Sequence, residues 1–163
     1  MTHRPFLRWP DPRLRRVAEP VAAVTDEVRA IWDEMVEAMH AMPGVGLAAP
    51  QLGIPLRLAV VDADDGRGVD RMANPRILHA SVELREHEEA SPNLPGVSAV
   101  VARPRAVTVA YLDEEERERT EDFVLLRATS VQHQIDHLDG KLYVHRLSRL
   151  KRDRLIKRAS RCA

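Results

Sequence analysis

The strongest constraint on the fold is a long strand-like stretch that lies between two helical segments. A first helix is predicted to begin at the N-cap Thr25 and to end at Pro43-Gly44, because apolar residues recur between them at helical spacing. A second helix is predicted over about Arg127–Leu138, with Asp139-Gly140 as its C-terminal stop. Strands grouped between helices, rather than strands each followed by a helix, predict an α+β fold and not a βαβ one.

Apolar and β-branched residues predict the strands themselves. The segments are Leu56–Val61, Ile77–Leu84, Ala106–Leu112 and Arg117–Val124. Asp64–Asp70, with two glycines, is predicted as a surface loop, and Asp113–Glu116 as a charged turn. Prolines in residues 1–24 predict an extended, docked arm, and residues 147–161 predict a basic C-terminal helix. We expect the 163 residues to form one domain, 1–163.

Composition narrows the class of protein. Lys plus Arg equals Asp plus Glu, at 25 each, so global charge favours neither DNA nor a membrane surface as partner. The one cysteine, Cys162, cannot form a disulfide within the chain, which fits a reducing compartment. The start shows no apolar signal-peptide core, and the aliphatic run at 58–61 is too short to span a bilayer. We therefore expect a cytoplasmic protein without a membrane partner.

Two histidines are the first candidates for chemistry. His133 and His137 lie four residues apart on the predicted second helix, so both imidazoles project from one face and could share a metal ion. Asp136 lies beside them and could orient one of them. The alternative is a pair of partly buried histidines bonded to neighbours. The pair alone does not distinguish the two interpretations.

Three ordered motifs decide between these interpretations. HQIDHLDG at 133–140 resembles the peptide deformylase motif HExxDH, and GVGLAAPQ at 44–51 resembles that family's GxGLAAxQ at every specified position. EASPNLPGV at 89–97, followed by Arg103-Pro104, lies where the family has EGCLSxPGV and a later RP. The resemblance covers nearly the whole chain, including WPDPRLR at 9–15 and GKLYVHRLS at 140–148.

The resemblance implies a fold, an activity and a cofactor. The fold would be mixed strands wrapped around a central helix that carries HQIDH, with a C-terminal helix. The activity would be hydrolysis of the formyl group from the N-terminal methionine of new polypeptides. In the family, a divalent iron or zinc ion is held by two histidines and a cysteine, and it activates a water molecule. The glutamate after the first histidine handles the proton. A glutamine and the backbone N–H after the cysteine stabilise the oxyanion.

Carried over residue by residue, half of this machinery is present. His133 and His137 match the metal ligands, Gln51 matches the oxyanion glutamine, and Gly46 and Leu47 match the turn that lines the substrate groove.

The other half is replaced. Ser91 stands in place of the cysteine ligand and Gln134 in place of the catalytic glutamate; Pro92 stands in place of leucine and Asn93 in place of serine. A neutral serine hydroxyl is a poor ligand for zinc or iron. A glutamine cannot accept a proton, and general acid–base catalysis is worth ~10²–10⁴-fold. Proline has no backbone N–H, and one oxyanion donor is worth ~10²–10³-fold. Joint loss predicts a protein with an empty or weakly occupied metal site and without deformylase activity.

Two other functions stay open at this point. Ser91 could act as a nucleophile with His133 or His137 as its base, giving an altered hydrolase. A metal-dependent deformylase could persist with an unexpected third ligand such as Asn93, Glu89 or water. Cys162 lies too near the end of the chain for us to assign it the thiolate role.

Smaller features complete the predictions. The remaining histidines are interpreted as surface or structural residues, and Glu86–Glu89 as a solvated charge run in which Glu89 could brace the loop. Between Arg146 and Arg161 there are eight Lys or Arg residues and one acid, Asp153. The simpler interpretation is a docked helix with a solvated basic face. The resemblance adds another, because some bacterial members use a C-terminal helix to reach the ribosome near the tunnel exit. The groove could correspondingly bind a nascent peptide.

Overall fold

The computed structural model of the chain describes residues 3–161, and Cys162 lies outside the described residues. The first helix, α1, spans Asp26–Ala41, and the Thr25 hydroxyl caps it by accepting a hydrogen bond from the backbone N–H of Val28. Its buried face includes Trp32, whose indole N–H donates to the Met72 carbonyl at 3.3 Å. The predicted first helix is therefore confirmed. The preceding arm turns at residues 9–10, forms a 3-10 turn at Pro12–Arg15, and pairs through one isolated bridge from Glu19 to Leu56.

An antiparallel five-stranded sheet forms the larger layer. Its strands are β1 (Gly46–Ala48), β2 (Leu58–Val61), β3 (Asp70–Ala80), β6 (Ala106–Leu112) and β7 (Glu118–Val124), in the order β1-β2-β3-β6-β7. β6 has the predicted bounds, and β2 and β7 lie within the predicted segments. The predicted turn 113–116 joins β6 to β7.

A separate two-stranded ribbon contains β4 (Leu84–Ser91) and β5 (Leu94–Pro104). The predicted strand Ile77–Leu84 was wrong in its bounds, because residues 81–83 form a bend that separates β3 from β4. Val82, at this bend, is 98% exposed, although its β-branched side chain favours a strand and extended the predicted segment across the bend. The solvated charge run at Glu86–Glu89 was also only partly right: Glu89 is buried. The ribbon delivers residues 89–93 to the centre of the molecule.

The helix α2, Leu125–Leu138, is almost entirely buried between β1, β2 and the ribbon. This burial confirms the central helix and explains its weak amphipathic pattern, since polar side chains on several faces point into the interior. Helix α3 spans Arg149–Arg161 and docks through Leu155 and Ala159, whereas Leu150 is exposed. Together these elements confirm the α+β class.

A buried arginine anchors the start of α2. The guanidinium of Arg127 donates to both carboxylate oxygens of Asp65, to Asp70, and to the carbonyl oxygens of Gly68 and Val61, over 2.7–3.3 Å. Burial opposes the charge, but these carboxylates outweigh it, so the pKa of Arg127 is raised. The loop at 62–69 and the start of β3 are thereby fixed to the helix that carries the histidines.

None of the described helices is long and apolar enough to cross a lipid bilayer.

Candidate active site

The two histidines of α2 meet at their ring nitrogens. Nε2 of His133 lies 3.2 Å from Nε2 of His137, and the ring centroids are 5.0 Å apart. Two imidazoles bound to one tetrahedral zinc at ~2.0–2.1 Å would place these atoms ~3.4 Å apart, so this half of a metal site has the necessary spacing.

Glu89 holds His133 in position. Its Oε1 atom lies 2.7 Å from Nδ1 of His133, and because a carboxylate only accepts, Nδ1 carries the proton. Its two oxygens also accept from Arg103 at 2.6 and 2.9 Å. Arg103 in turn donates to Asp136, which accepts two further bonds from Arg146. The buried charges of Glu89, Arg103 and Asp136, joined at the surface by the exposed Arg146, fix the tautomer and the orientation of His133.

The network also sets the protonation of its acids. Burial favours the neutral form of Glu89, but the bonds from His133 and Arg103 outweigh burial, so its pKa is lowered. Burial likewise opposes the charge of Asp136, and Arg146 and Arg103 outweigh it, so that pKa is lowered too. Both acids are therefore carboxylates at neutral pH. Burial, followed by the neighbouring His133, drives the pKa of His137 well below its usual value, so His137 is neutral.

The residue in the cysteine position is turned toward its own loop. Ser91 lies 6% exposed at the end of β4, and its hydroxyl donates to Oδ1 of Asn93 at 3.0 Å. The Ser91 oxygen itself accepts weakly from Nε2 of Gln51 at 3.4 Å and from the backbone N–H of Asn93 at 3.3 Å. Pro92 occupies the tight turn between β4 and β5. The hydroxyl proton is thus directed to an amide and not to an imidazole.

Gln51 and Asn93 form the firmest contact in this corner. Nε2 of Gln51 donates to Oδ1 of Asn93 at 2.8 Å, and Oε1 of Gln51 accepts from the backbone N–H of Ala48 at 2.9 Å. Nδ2 of Asn93 donates to the carbonyl of Leu7 in the arm, and the backbone N–H of Trp9 donates to the Asn93 carbonyl at 2.9 Å. The fully buried Asn93 therefore joins the arm to the site.

An open cavity of about 350 Å³ lies above this corner. Its lining includes the predicted residues Gly46, Gln51, Ser91, Pro92, His133 and Gln134. The predicted groove residue Leu47 is instead fully buried and packs in the core cluster around α1, because successive strand residues face opposite sides of the sheet. Asn93, also predicted for the groove, lies beneath the cavity lining.

Gly46 is required by a close approach. A Cβ atom there would come within 2.3 Å of the Ser130 hydroxyl and 2.5 Å of Nε2 of Gln134. Ser130 donates to the Val45 carbonyl at 2.8 Å, which ties α2 to the glycine-rich turn. Oε1 of Gln134 is buried and has no hydrogen-bond partner within the described residues.

Sequence reasoning missed several contributors to this site. Thr129 and Ser130 line the cavity from α2, and Tyr143 stacks on His133 with centroids 6.0 Å apart. The helical register of 129, 130 and 133 could have indicated the first two. No local signal identified Tyr143 or Arg146.

The donor set does not complete a metal site. Ser91 is a neutral hydroxyl committed to Asn93, and within residues 3–161 no group of three or more His, Cys, Asp or Glu side chains is placed to hold a metal ion. The two imidazoles fit such an ion, but the set of three does not.

The comparisons with known proteins agree with this fold. A sequence model of the polypeptide deformylase family matches residues 3–153. A protein called peptide deformylase-like, from Bradyrhizobium diazoefficiens, is 44% identical over 158 residues, or 97% of this chain and 93% of the relative. A peptide deformylase from Methylocella silvestris is 46% identical over 169 residues, or 100% and 86% of the two chains.

Solved structures show the same likeness. A peptide deformylase from Ehrlichia chaffeensis in complex with actinonin superimposes with a TM-score of 0.92 at 32% identity, covering 99% of this chain and 98% of that one. This chain belongs to the peptide deformylase family, which confirms the family and the fold that the three motifs predicted.

Proposed function

We propose that this chain is a peptide deformylase family member that does not catalyse deformylation and that keeps the groove as a binding site for the N-terminal end of a peptide. The observation that carries the proposal is the hydrogen bond from Ser91 to Asn93, since it occupies the hydroxyl that stands in place of the thiolate ligand. Family members with either printed name, deformylase or deformylase-like, are similarly close in sequence.

Loss of the thiolate removes the negative ligand from the site. A serine hydroxyl stays protonated near neutral pH, so only His133 and His137 remain as good donors for zinc or iron. Two neutral imidazoles bind a divalent ion weakly and leave its charge uncompensated. We therefore expect weak or absent binding of the family's metal.

Loss of the glutamate removes the proton acceptor. Gln134 occupies the floor of the cavity, where its amide can donate or accept a hydrogen bond but cannot hold an added proton. Absence of general base catalysis alone costs ~10²–10⁴-fold in rate. Pro92 removes a backbone donor at the neighbouring position as well.

The groove itself is retained. The cavity is open, and apolar residues such as Met42, Val45 and Leu126 line one side of it. The buried Glu89–Arg103–Asp136 network holds the surrounding elements rigidly. A preformed apolar groove next to a polar corner is suited to bind one side chain and the adjoining backbone of a peptide.

The geometry does not support the serine hydrolase alternative. A serine nucleophile needs a base that accepts its proton, whereas the Ser91 hydroxyl donates to Asn93 and His133 donates to Glu89. The two Nε2 atoms face each other.

Binding and catalysis are tested separately. Calorimetry with N-formyl-Met-Ala-Ser should give saturable binding that Gly46→Leu abolishes, while mass spectrometry detects no formate release. Val82→Leu, at the exposed bend between β3 and β4, is the matched control that should bind normally. Turnover at ordinary enzyme rates would overturn the loss of activity, and absence of binding would overturn the retained groove.

The basic helix favours a second partner, the ribosome. Lys151, Arg154 and Lys157 are exposed on α3, and the sixteen-residue stretch from 146 to 161 carries eight cations against one acid. Phosphate backbones attract such a surface in a salt-dependent way. A chain without catalysis could use this contact to stay near emerging peptides.

A further inference from the structure

We infer that Asn93 determines ligand specificity in the groove: by holding the side-chain amide of Gln51, it makes binding independent of a formyl group. The groove would then take peptides with an apolar first residue, whether or not the N-terminus is formylated. The inference rests on the proposed function, because it assumes that the groove binds peptides.

The orientation of both amides is fixed by backbone groups. The backbone N–H of Ala48 requires an acceptor, so Oε1 of Gln51 faces it and Nε2 faces Asn93. The carbonyl of Leu7 requires a donor, so Nδ2 of Asn93 faces the arm and Oδ1 faces Gln51. Because both amides are oriented by these backbone groups, Nε2 of Gln51 faces Oδ1 of Asn93 and donates to it at 2.8 Å.

The side-chain polar hydrogens of Gln51, Ser91 and Asn93 are already directed to acceptors in this corner or in the arm. Nε2 of Gln51 serves Oδ1 of Asn93 at 2.8 Å and the Ser91 oxygen at 3.4 Å. The Ser91 hydroxyl serves the same Oδ1 atom, and the backbone N–H of Asn93 serves the Ser91 oxygen. Pro92 contributes none. A formyl oxygen placed here would have to displace an existing bond.

Displacement removes the advantage of the formyl group. An exchanged hydrogen bond brings no net gain, and a carbonyl left without a donor loses affinity. The apolar wall with Met42, Val45 and Leu126 is unaffected, so a first side chain still gains from burial there. The groove thus selects peptides by the side chain of their first residue.

The first measurement needs no ligand. Solvent exchange of the Gln51 side-chain amide protons, followed by NMR in the full chain, should be slow. Asn93→Ser, which removes Oδ1, should speed the exchange about tenfold, the effect of ~1.4 kcal/mol. Asn93→Asp keeps an acceptor for Gln51 but loses the donor to Leu7, as Asn93→Ser does. The Gln51 amide protons should therefore remain protected in Asn93→Asp, which controls for a loosened arm.

The second measurement compares two neutral ligands by calorimetry. One is N-formyl-Met-Ala-Ser, and the other is its desamino counterpart, in which hydrogen replaces the formamido group. Their Kd values should agree within about threefold in the natural chain, and Asn93→Ser should favour the formyl peptide by about tenfold, a preference that Gln51→Ala removes.

The outcomes separate the two proposals. Fast exchange of the Gln51 amide in the natural chain, or a tenfold preference for the formyl peptide there, overturns the role of Asn93 and leaves peptide binding intact. Binding of neither peptide overturns the proposed function and the specificity that depends on it. Slow exchange with equal binding supports both.

Discussion

Oε1 of Glu89 lies 2.7 Å from Nδ1 of His133, and the same atom accepts a bond from Arg103 at 2.9 Å. One carboxylate oxygen thus serves both an imidazole of the histidine pair and a buried guanidinium. The arrangement that orients His133 is at the same time part of what holds β4, β5 and α2 together.

The first prediction concerns the stability of this network. Arg103→Met leaves Glu89 and Asp136 with fewer partners in a buried place and should lower the free energy of unfolding by about 3–5 kcal/mol. Urea denaturation measures it. Arg105→Met, which breaks an exposed pair with Glu83, should cost less than about 1 kcal/mol. Similar losses for both variants would contradict a special role of the buried pair.

The second prediction is a loss of stability in acid. The pKa values of Glu89 and Asp136 are lowered in the folded chain, so the folded state favours their ionised forms. The stabilisation is fully present above the unfolded pKa values of ~3.9–4.3 and is lost as pH falls through the folded values. Urea denaturation between pH 7 and pH 3 should show it. Glu89→Gln should have a shallower pH dependence, and an unchanged slope would be evidence against these acids.

The third prediction concerns metal affinity. Ser91→Cys restores a thiolate beside two imidazoles 3.2 Å apart, so zinc occupancy after dialysis against a mild chelator should rise toward one ion per chain. Elemental analysis measures occupancy. Ser91→Ala is the matched control, and both it and the natural chain should lose the ion. Stoichiometric metal held by the natural chain would refute the interpretation of Ser91.

The fourth prediction concerns the recovery of catalysis. Ser91→Cys combined with Gln134→Glu should restore metal binding more fully than activity, because Pro92 still lacks the backbone N–H. Adding Pro92→Leu should raise kcat/KM by a further ~10²–10³-fold. Formate release from a formyl-methionyl peptide measures this. Full activity in the double variant would show that Pro92 does not matter.

The fifth prediction tests the basic helix. Replacing Lys151, Arg154 and Lys157 with Gln should reduce co-sedimentation with ribosomes at low salt and flatten its dependence on salt. Truncation is a poorer test, since a chain ending at Ser148 would also lose the core residues Leu155 and Ala159.

The control replaces three exposed cations elsewhere, Arg76, Arg105 and Arg117, with Gln. Equal pelleting of the two triple variants, or no pelleting of the natural chain, would leave α3 as ordinary surface structure.

Local patterns predicted much of this fold. The capped first helix and β6 follow from periodicity and β-branched residues, which act within a few neighbours. The ribbon was missed because β4, Leu84–Ser91, is a run of charged and polar residues without the alternation of apolar residues that indicates a strand. The burial of Glu89 depends on Arg103 and His133, and such long-range pairing leaves little trace in a local window.

The candidate site divides in the same way. Motif order placed Ser91, Gln51 and the histidines; the structure brings Ser91, Gln51 and His133 to one cavity, and the buried His137 contacts His133 without lining it. Leu47 was misplaced because motif membership does not say which face of a strand a side chain occupies. The role of Asn93 depends on the arm residue Leu7, which lies 86 positions away, so only the fold reveals it.

The oxygen cage around Arg127 has a consequence for experiments with chelators. Asp65, Asp70 and two carbonyl groups surround a positive charge that is covalently part of the chain. Unlike a loop organised by a dissolved ion, this one cannot be emptied by EDTA, nor competed for by another cation. Any structural response of the protein to chelation should therefore arise at the histidines, with the 62–69 loop serving as an internal reference that stays unchanged.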